Sequence, residues 1–145
     1  MAAADNEIII SRMINAPRSR VWEAWTTVDH LAQWWGPNGF TTTTHEFDFS
    51  EGGYWRFMMH GPDGTNYDNA KEFIEVVEPE RIVFKHLQPM HQFQMTMTFA
   101  DFVGGTKLTW LMQFESSDNP KLKSMIAEAN EQNFDRLEAY LGLKN

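Results

Sequence analysis

Five histidines and one asparagine are the side chains in this chain whose type and placement invite a chemical reading: His30, His45, His60, His86, His91 and Asn133. Imidazole is the side chain that titrates unperturbed near neutral pH. In the stretch 42–49, alternation puts His45 on one side with Phe47 and Phe49. In the stretch 81–87, His86 shares a side with Ile82 and Phe84. An inward imidazole paired with an amide such as Asn133 can polarise a carbonyl, which is the chemistry of a small cyclase- or hydrolase-like enzyme. The plainer reading is a neutral core histidine bonded to backbone. His86 and His91 stand five apart, and no histidine pair has a recognised metal-ligand spacing. Motifs for a nucleophilic serine, a phosphate loop, a zinc helix or a dinucleotide turn are all missing. No catalytic residue, metal or cofactor is therefore assigned, and an enzyme is not the first expectation.

The elements that would position these groups follow from periodicity. A β-branched run over 7–14 reads as a strand, ended by Ala16-Pro17. Residues 18–26 follow at helical spacing with Val21 and Trp25 on one face, and Asp29 reads as the N-cap of a second short helix through Trp34. Strands are then expected over 42–49, 54–59, 67–77, 81–87, 93–99 and 106–114. They are divided by Glu51-Gly52-Gly53, Gly61-Pro62-Asp63-Gly64, Glu78-Pro79-Glu80 and Gly104-Gly105. Phe93, Met95, Met97 and Phe99 alternate most cleanly, and Leu108, Trp110, Met112 and Phe114 repeat the pattern. Short connections make the seven strands antiparallel. Arg56 falls opposite Trp55 and Phe57, as a surface residue.

Residues 120–141 give the long amphipathic helix. Its stripe is Leu122, Met125, Ile126, Ala129, Leu137 and Tyr140, flanked by Phe134 and Leu141, with Ser116 to Asn119 as capping candidates. Glu128, Glu131, Asp135 and Glu138 lie away from the stripe, as a solvated face. Asn133 falls near the middle of the stripe and needs a partner, either inside the protein or on a ligand. One helix must cover a whole sheet, so the sheet curls around it. The chain is expected to be α+β, with a curved antiparallel sheet of about seven strands wrapped around a long C-terminal helix and two short helices after the first strand.

At 145 residues this is read as a single domain over 1–145. Eleven Phe, six Trp, three Tyr and nine Met supply adaptable apolar walls. A net charge of −8 argues against nucleic acid. There is no cysteine, which suits a reducing, cytoplasmic setting. Neither a signal peptide nor a run long enough to enter a membrane is read. A curled sheet closed by one rod leaves an interior, and the first expectation is that it binds a small hydrophobic molecule. The expected walls are Trp34, Trp35, Phe40, Trp55, Phe57, Phe84, Phe93, Met95, Met97, Trp110, Met112, Met125, Ala129 and Phe134, with polar contacts from His86, Asn133 and Tyr67. A protein-interaction module would instead carry an exposed apolar patch of a few hundred Å².

Several segments carry a resemblance. They are Ala16-Pro17, Val21-Trp22-Glu23-Ala24-Trp25, His30-Leu31-Ala32-Gln33-Trp34-Trp35-Gly36-Pro37 and Gly52-Gly53-Tyr54-Trp55-Arg56-Phe57. Gly61-Pro62-Asp63-Gly64, Glu78-Pro79-Glu80-Arg81-Ile82-Val83-Phe84, Gly104-Gly105-Thr106-Lys107-Leu108-Thr109 and Phe134-Asp135-Arg136-Leu137-Glu138-Ala139-Tyr140-Leu141 continue the set. In this order the chain resembles the helix-grip (START-like, SRPBCC) superfamily. Within it, it is similar to the family named for the C-terminal domain of the activator of the ninety-kilodalton heat-shock chaperone's ATPase. The resemblance implies a β-α-α-β-β-β-β-β-β-α order and a cavity between sheet and last helix, with no shared catalytic residue. Many relatives have Gly-Trp where this chain has Ala129-Asn130, which alters the implied cavity. The eukaryotic co-chaperone has a further N-terminal domain, so a chaperone partner is not the expectation for these residues.

Overall fold

The computed structural model describes residues 6–88, 92–114 and 120–142. The order is β1 (Glu7–Ile14), α1 (Arg18–Thr26), α2 (Val28–Trp34), β2 (Thr41–Phe47), β3 (Tyr54–His60), β4 (Asn66–Val77), β5 (Arg81–Gln88), β6 (Phe93–Phe102), β7 (Gly105–Phe114) and α3 (Pro120–Tyr140). The seven strands form one antiparallel sheet in the order β1-β7-β6-β5-β4-β3-β2. This is the α+β, helix-grip-like arrangement expected. Because β1 and β2 occupy opposite edges, α1 and α2 must carry the chain from one edge to the other.

Register places residues of one face in rows across the strands. One row runs Phe47, Trp55, Lys71, His86, Phe93 and Phe114 from β2 to β7. Beside it run Phe73, Phe84, Met95, Met112 and Ile8, and beyond that Ile82, Met97, Trp110 and Ile10. Most of these side chains are fully buried in one cluster that also takes in Trp22, Trp25, Trp34 and Trp35. Trp25 of α1 stacks on Phe84 and meets Trp35 and Trp55 edge-on. The four N-terminal tryptophans thus pack into the core, and Trp34 Nε1 donates to Ala24 O at 3.0 Å, joining α2 to α1. Helix α2 begins two residues earlier than expected, with Thr27 as its N-cap and Asp29 inside the first turn.

Two local departures have physical causes. A β-bulge between Thr44 and Glu46 puts an extra residue in β2, which reverses parity there. His45 is exposed in consequence, and Thr44 instead accepts the Trp55 indole N–H at 3.2 Å. On α3 the core-facing line runs through Ile126, Ala127, Phe134, Leu137 and Leu141, while Met125 and Tyr140 stand exposed beside it. The residues before Pro120 that were read as capping candidates lie outside the described residues.

The acidic face of α3 is not simply solvated. Arg12 of β1 reaches Glu131 at 2.8 Å, Asp135 at 2.5 Å and Glu138 at 2.9 Å, with its guanidinium over the Phe134 ring. Exposed ion pairs contribute little singly, but a partly buried fork shared by three carboxylates forms a network. Arg12→Met should lower unfolding stability by about 1–2 kcal/mol in urea titration, with the loss shrinking at high salt.

Candidate functional site

The candidate residues centre on the middle row of the sheet. Lys71 of β4 points inward, 3% exposed. Its direct cross-strand neighbour is His86 of β5, and Nζ lies 2.9 Å from His86 Nδ1. With the ammonium charged, Nζ donates and Nδ1 accepts. Four rings surround the nitrogen: Phe84 at 4.8 Å, Phe57 at 5.5 Å, Trp35 at 5.7 Å and Phe93 at 6.0 Å to their centroids. Phe93 also stacks on His86 at 4.7 Å and meets Phe114 at 5.1 Å. Among the described residues no carboxylate lies within ion-pair distance of Lys71. Burial alone lowers Lys71 from its ordinary 10.5 to about 7. Ring faces attract a cation, though less strongly than a carboxylate would in the same dry site.

Sequence reasoning found His86 and missed Lys71. Lys71 shares strand parity with Asn69 and Phe73, both buried, and that was the available signal. Lysine is so seldom fully buried that composition argues the other way.

Asn133 is buried, and its amide oxygen has a partner within the protein. Its Oδ1 accepts the Gly36 N–H at 3.1 Å. Around it α3 clasps the loop after α2: Gln132 accepts from Asn38 N at 3.0 Å, and Arg136 donates to Gly36 O at 2.9 Å and Pro37 O at 2.7 Å. Gly36 has φ +113°, and a Cβ there would lie 2.5 Å from Met59 Cε. The asparagine therefore holds the helix to the loop, its Oδ1 turned to backbone. His45 is exposed, His60 is bonded between Thr43 and Asn66 on the outside, and His91 lies outside the described residues. His86, His45 and Asn133 do not meet at one point.

The remaining candidates divide by environment. Trp35, Trp55, Phe57, Phe84, Met95, Met97, Trp110, Met112 and Phe134 are buried in the shared cluster, and Phe93 packs against it half-buried. Trp110 rests on Phe134 at 4.4 Å and on Trp35 at 5.7 Å, and its Nε1 is buried with no hydrogen-bond partner among the described residues. Ala129 is half-buried and Met125 is 59% exposed. Phe40 and Tyr67 pair with each other near the surface, their rings 6.0 Å apart. Along α3, Asn133, Phe134 and Leu137 are buried, whereas Ile126, Ala127, Ala129 and Asn130 are half-exposed.

Two outer hollows lie elsewhere. One of about 260 Å³ is bounded by Arg20, Glu23, Ala24, His30, Tyr140 and Leu141, where His30 is bonded to the Tyr140 hydroxyl. The other, about 420 Å³, lies between α2 and the bulged end of β2, around Ala32, His45 and Phe47. Large exposed apolar side chains are spread over several elements: Ile9 and Met13 on β1, Ile74 on β4, and Phe102 with Val103 at the β6–β7 turn. Among the described residues no group of three His, Cys, Asp or Glu side chains is placed to hold a metal, and no helix is long and apolar enough to cross a membrane.

Asn133→Leu should cost about 1–3 kcal/mol of stability by orphaning the Gly36 N–H, and leave small-molecule affinity unchanged. For Lys71 the sign follows from linkage. Below pH 7 the ammonium is charged in folded and unfolded chains, and its desolvation penalty weighs fully on the fold. Between pH 7 and 10.5 the unfolded chain holds a proton that the folded chain has released, so this group's contribution makes stability rise with pH. Lys71→Met should accordingly raise the urea midpoint most below pH 7, by at most about 5 kcal/mol of stability, and the difference should narrow toward pH 10. A difference constant with pH would show that Lys71 does not titrate as the structure requires.

No curated protein matches the chain. Protein CV1439 from Chromobacterium violaceum has a solved structure that superposes with a TM-score of 0.84 at 23% identity, covering 94% of this chain and 96% of that one. Protein NE0264 from Nitrosomonas europaea gives 0.87 at 19% identity, with 97% of each chain covered. The AHSA1 protein SPO3351 from Silicibacter pomeroyi gives 0.80 at 17% identity, covering 94% of this chain and 97% of that one. At these identities the likeness is one of fold. The model of the family described as Activator of Hsp90 ATPase homolog 1-like protein matches residues 15–142, nearly the whole chain, and the protein belongs to that family.

Proposed function

We propose that this protein binds a small hydrophobic molecule between the inner face of its sheet and the first half of α3. The observation that carries the reading is a change in burial along one helix. From Asn133 onward the inward side of α3 is sealed against the core, while Ile126, Ala129 and Asn130 remain half-exposed over the same apolar sheet. The rows beneath that stretch are Phe93 with Phe114, and Met95 with Met112. Phenyl rings and thioethers make a wall that adapts to the outline of a guest. Removing apolar surface from water supplies about 25 cal/mol per Å², offset by the cost of association. Membership of the family is compatible with a ligand-binding or helper domain in general, and the finer assignment rests on this helix.

Native mass spectrometry of protein purified from its own host should show a retained small molecule. In vitro, apolar probes should quench tryptophan emission to saturation at one equivalent. Ala129→Trp, placed at the half-exposed margin, should weaken probe binding tenfold or more while shifting stability by no more than about 1 kcal/mol. Absence of a retained molecule together with non-saturating probe titrations would overturn the assignment.

A further inference from the structure

We infer that Lys71 and His86 form the anion-recognising end of this interior site, so that the molecule it takes is an apolar one carrying a single carboxylate. The inference rests on the binding reading given above and names the ligand class for the same site. A buried cation is ordinarily paired with an anion or fully hydrogen-bonded. Here the described residues offer Lys71 one acceptor, His86 Nδ1, and ring faces for the rest. An ammonium has three N–H donors, so two remain for a guest.

The placement is that of a socket. Lys71 lies midway along a six-strand row whose other members are Phe47, Trp55, His86, Phe93 and Phe114. Toward the far end of that row Phe93 is half-buried while Phe114 is buried in the core, and the side chain of His86 joins them to the lysine by stacking on Phe93. A carboxylate entering over Phe93 would reach Nζ while its hydrocarbon part lay along Met95 and Met112. Charge number selects among anions. One lysine beside one imidazole matches a monoanion; a phosphate monoester brings a second charge and more acceptor oxygens than these donors satisfy. A cationic guest would face the ammonium directly. The indole N–H of Trp110, buried without an acceptor among the described residues and packed on the same Trp35 ring that flanks Lys71, is a donor available to a further oxygen on the guest.

The test is a paired calorimetric titration at pH 6.5 of hexanoate, decanoate and naphthalene-2-carboxylate, each beside the alcohol of the same skeleton. Wild-type protein should bind at least one acid ten times or more tighter than its alcohol. Lys71→Met and Lys71→Gln should erase that ratio while keeping the affinity for the alcohol, with folding of both variants verified by circular dichroism. Equal binding of acid and alcohol by the wild type, or a ratio that survives both substitutions, overturns the carboxylate assignment and leaves the apolar site standing. If neither acid nor alcohol binds, the site itself fails and the inference falls with it.

Discussion

A single long helix, beside two short ones, lies over a sheet of seven strands, and the way it is fastened shapes the interior. Among the described residues, polar attachments of α3 gather in its second half: Arg12 of β1 on one side, the backbone at Gly36, Pro37 and Asn38 on the other, and His30 on Tyr140 at the end. They draw Phe134 and Leu137 into the core, while Ile126 and Ala129 in the first half are only half-buried. Elements with fewer buried contacts open at lower free energy. On the proposed reading, a guest would enter beside Phe93, under this less buried half of the helix.

The opposite end of the interior is filled from within. Trp22, Trp25, Trp34 and Trp35 come from a short stretch of chain that must cross from one sheet edge to the other, and the crossing brings their rings against Trp55, Phe73 and Phe84. Connection and plug are one segment. The remaining apolar face then lies under α3, with Lys71 at the boundary between the tryptophan cluster and the methionine rows.

Much of this architecture was legible from alternation and turn residues. Phe93-Met95-Met97-Phe99 and Leu108-Trp110-Met112-Phe114 face inward as their spacing requires, because a period of two survives wherever two strands pair without interruption. His45 shows where that logic ends: one bulged residue moved it from the aromatic side to solvent, and bulges leave little trace in a single sequence. The site was half legible. Asn133 was recognisable as a buried amide, but its partner is a backbone N–H ninety-seven residues away in sequence, which the helical wheel alone does not identify. Lys71 was hidden by its own type. The pairing of β4 with β5, with irregular register on both sides of it, is what sets that lysine against His86.

The tryptophan plug also has an optical consequence. Trp25, Trp34, Trp35 and Trp55 lie in a chain of edge-on contacts, with ring centroids 5.5 to 5.9 Å apart. Indole transition dipoles held at such distances and at fixed angles couple into delocalised excitations. The native ultraviolet circular dichroism should therefore contain a paired positive and negative band, produced by the geometry among chromophores rather than by any one of them. Its amplitude would vanish as soon as those rings rotate freely, even where the strands remain paired.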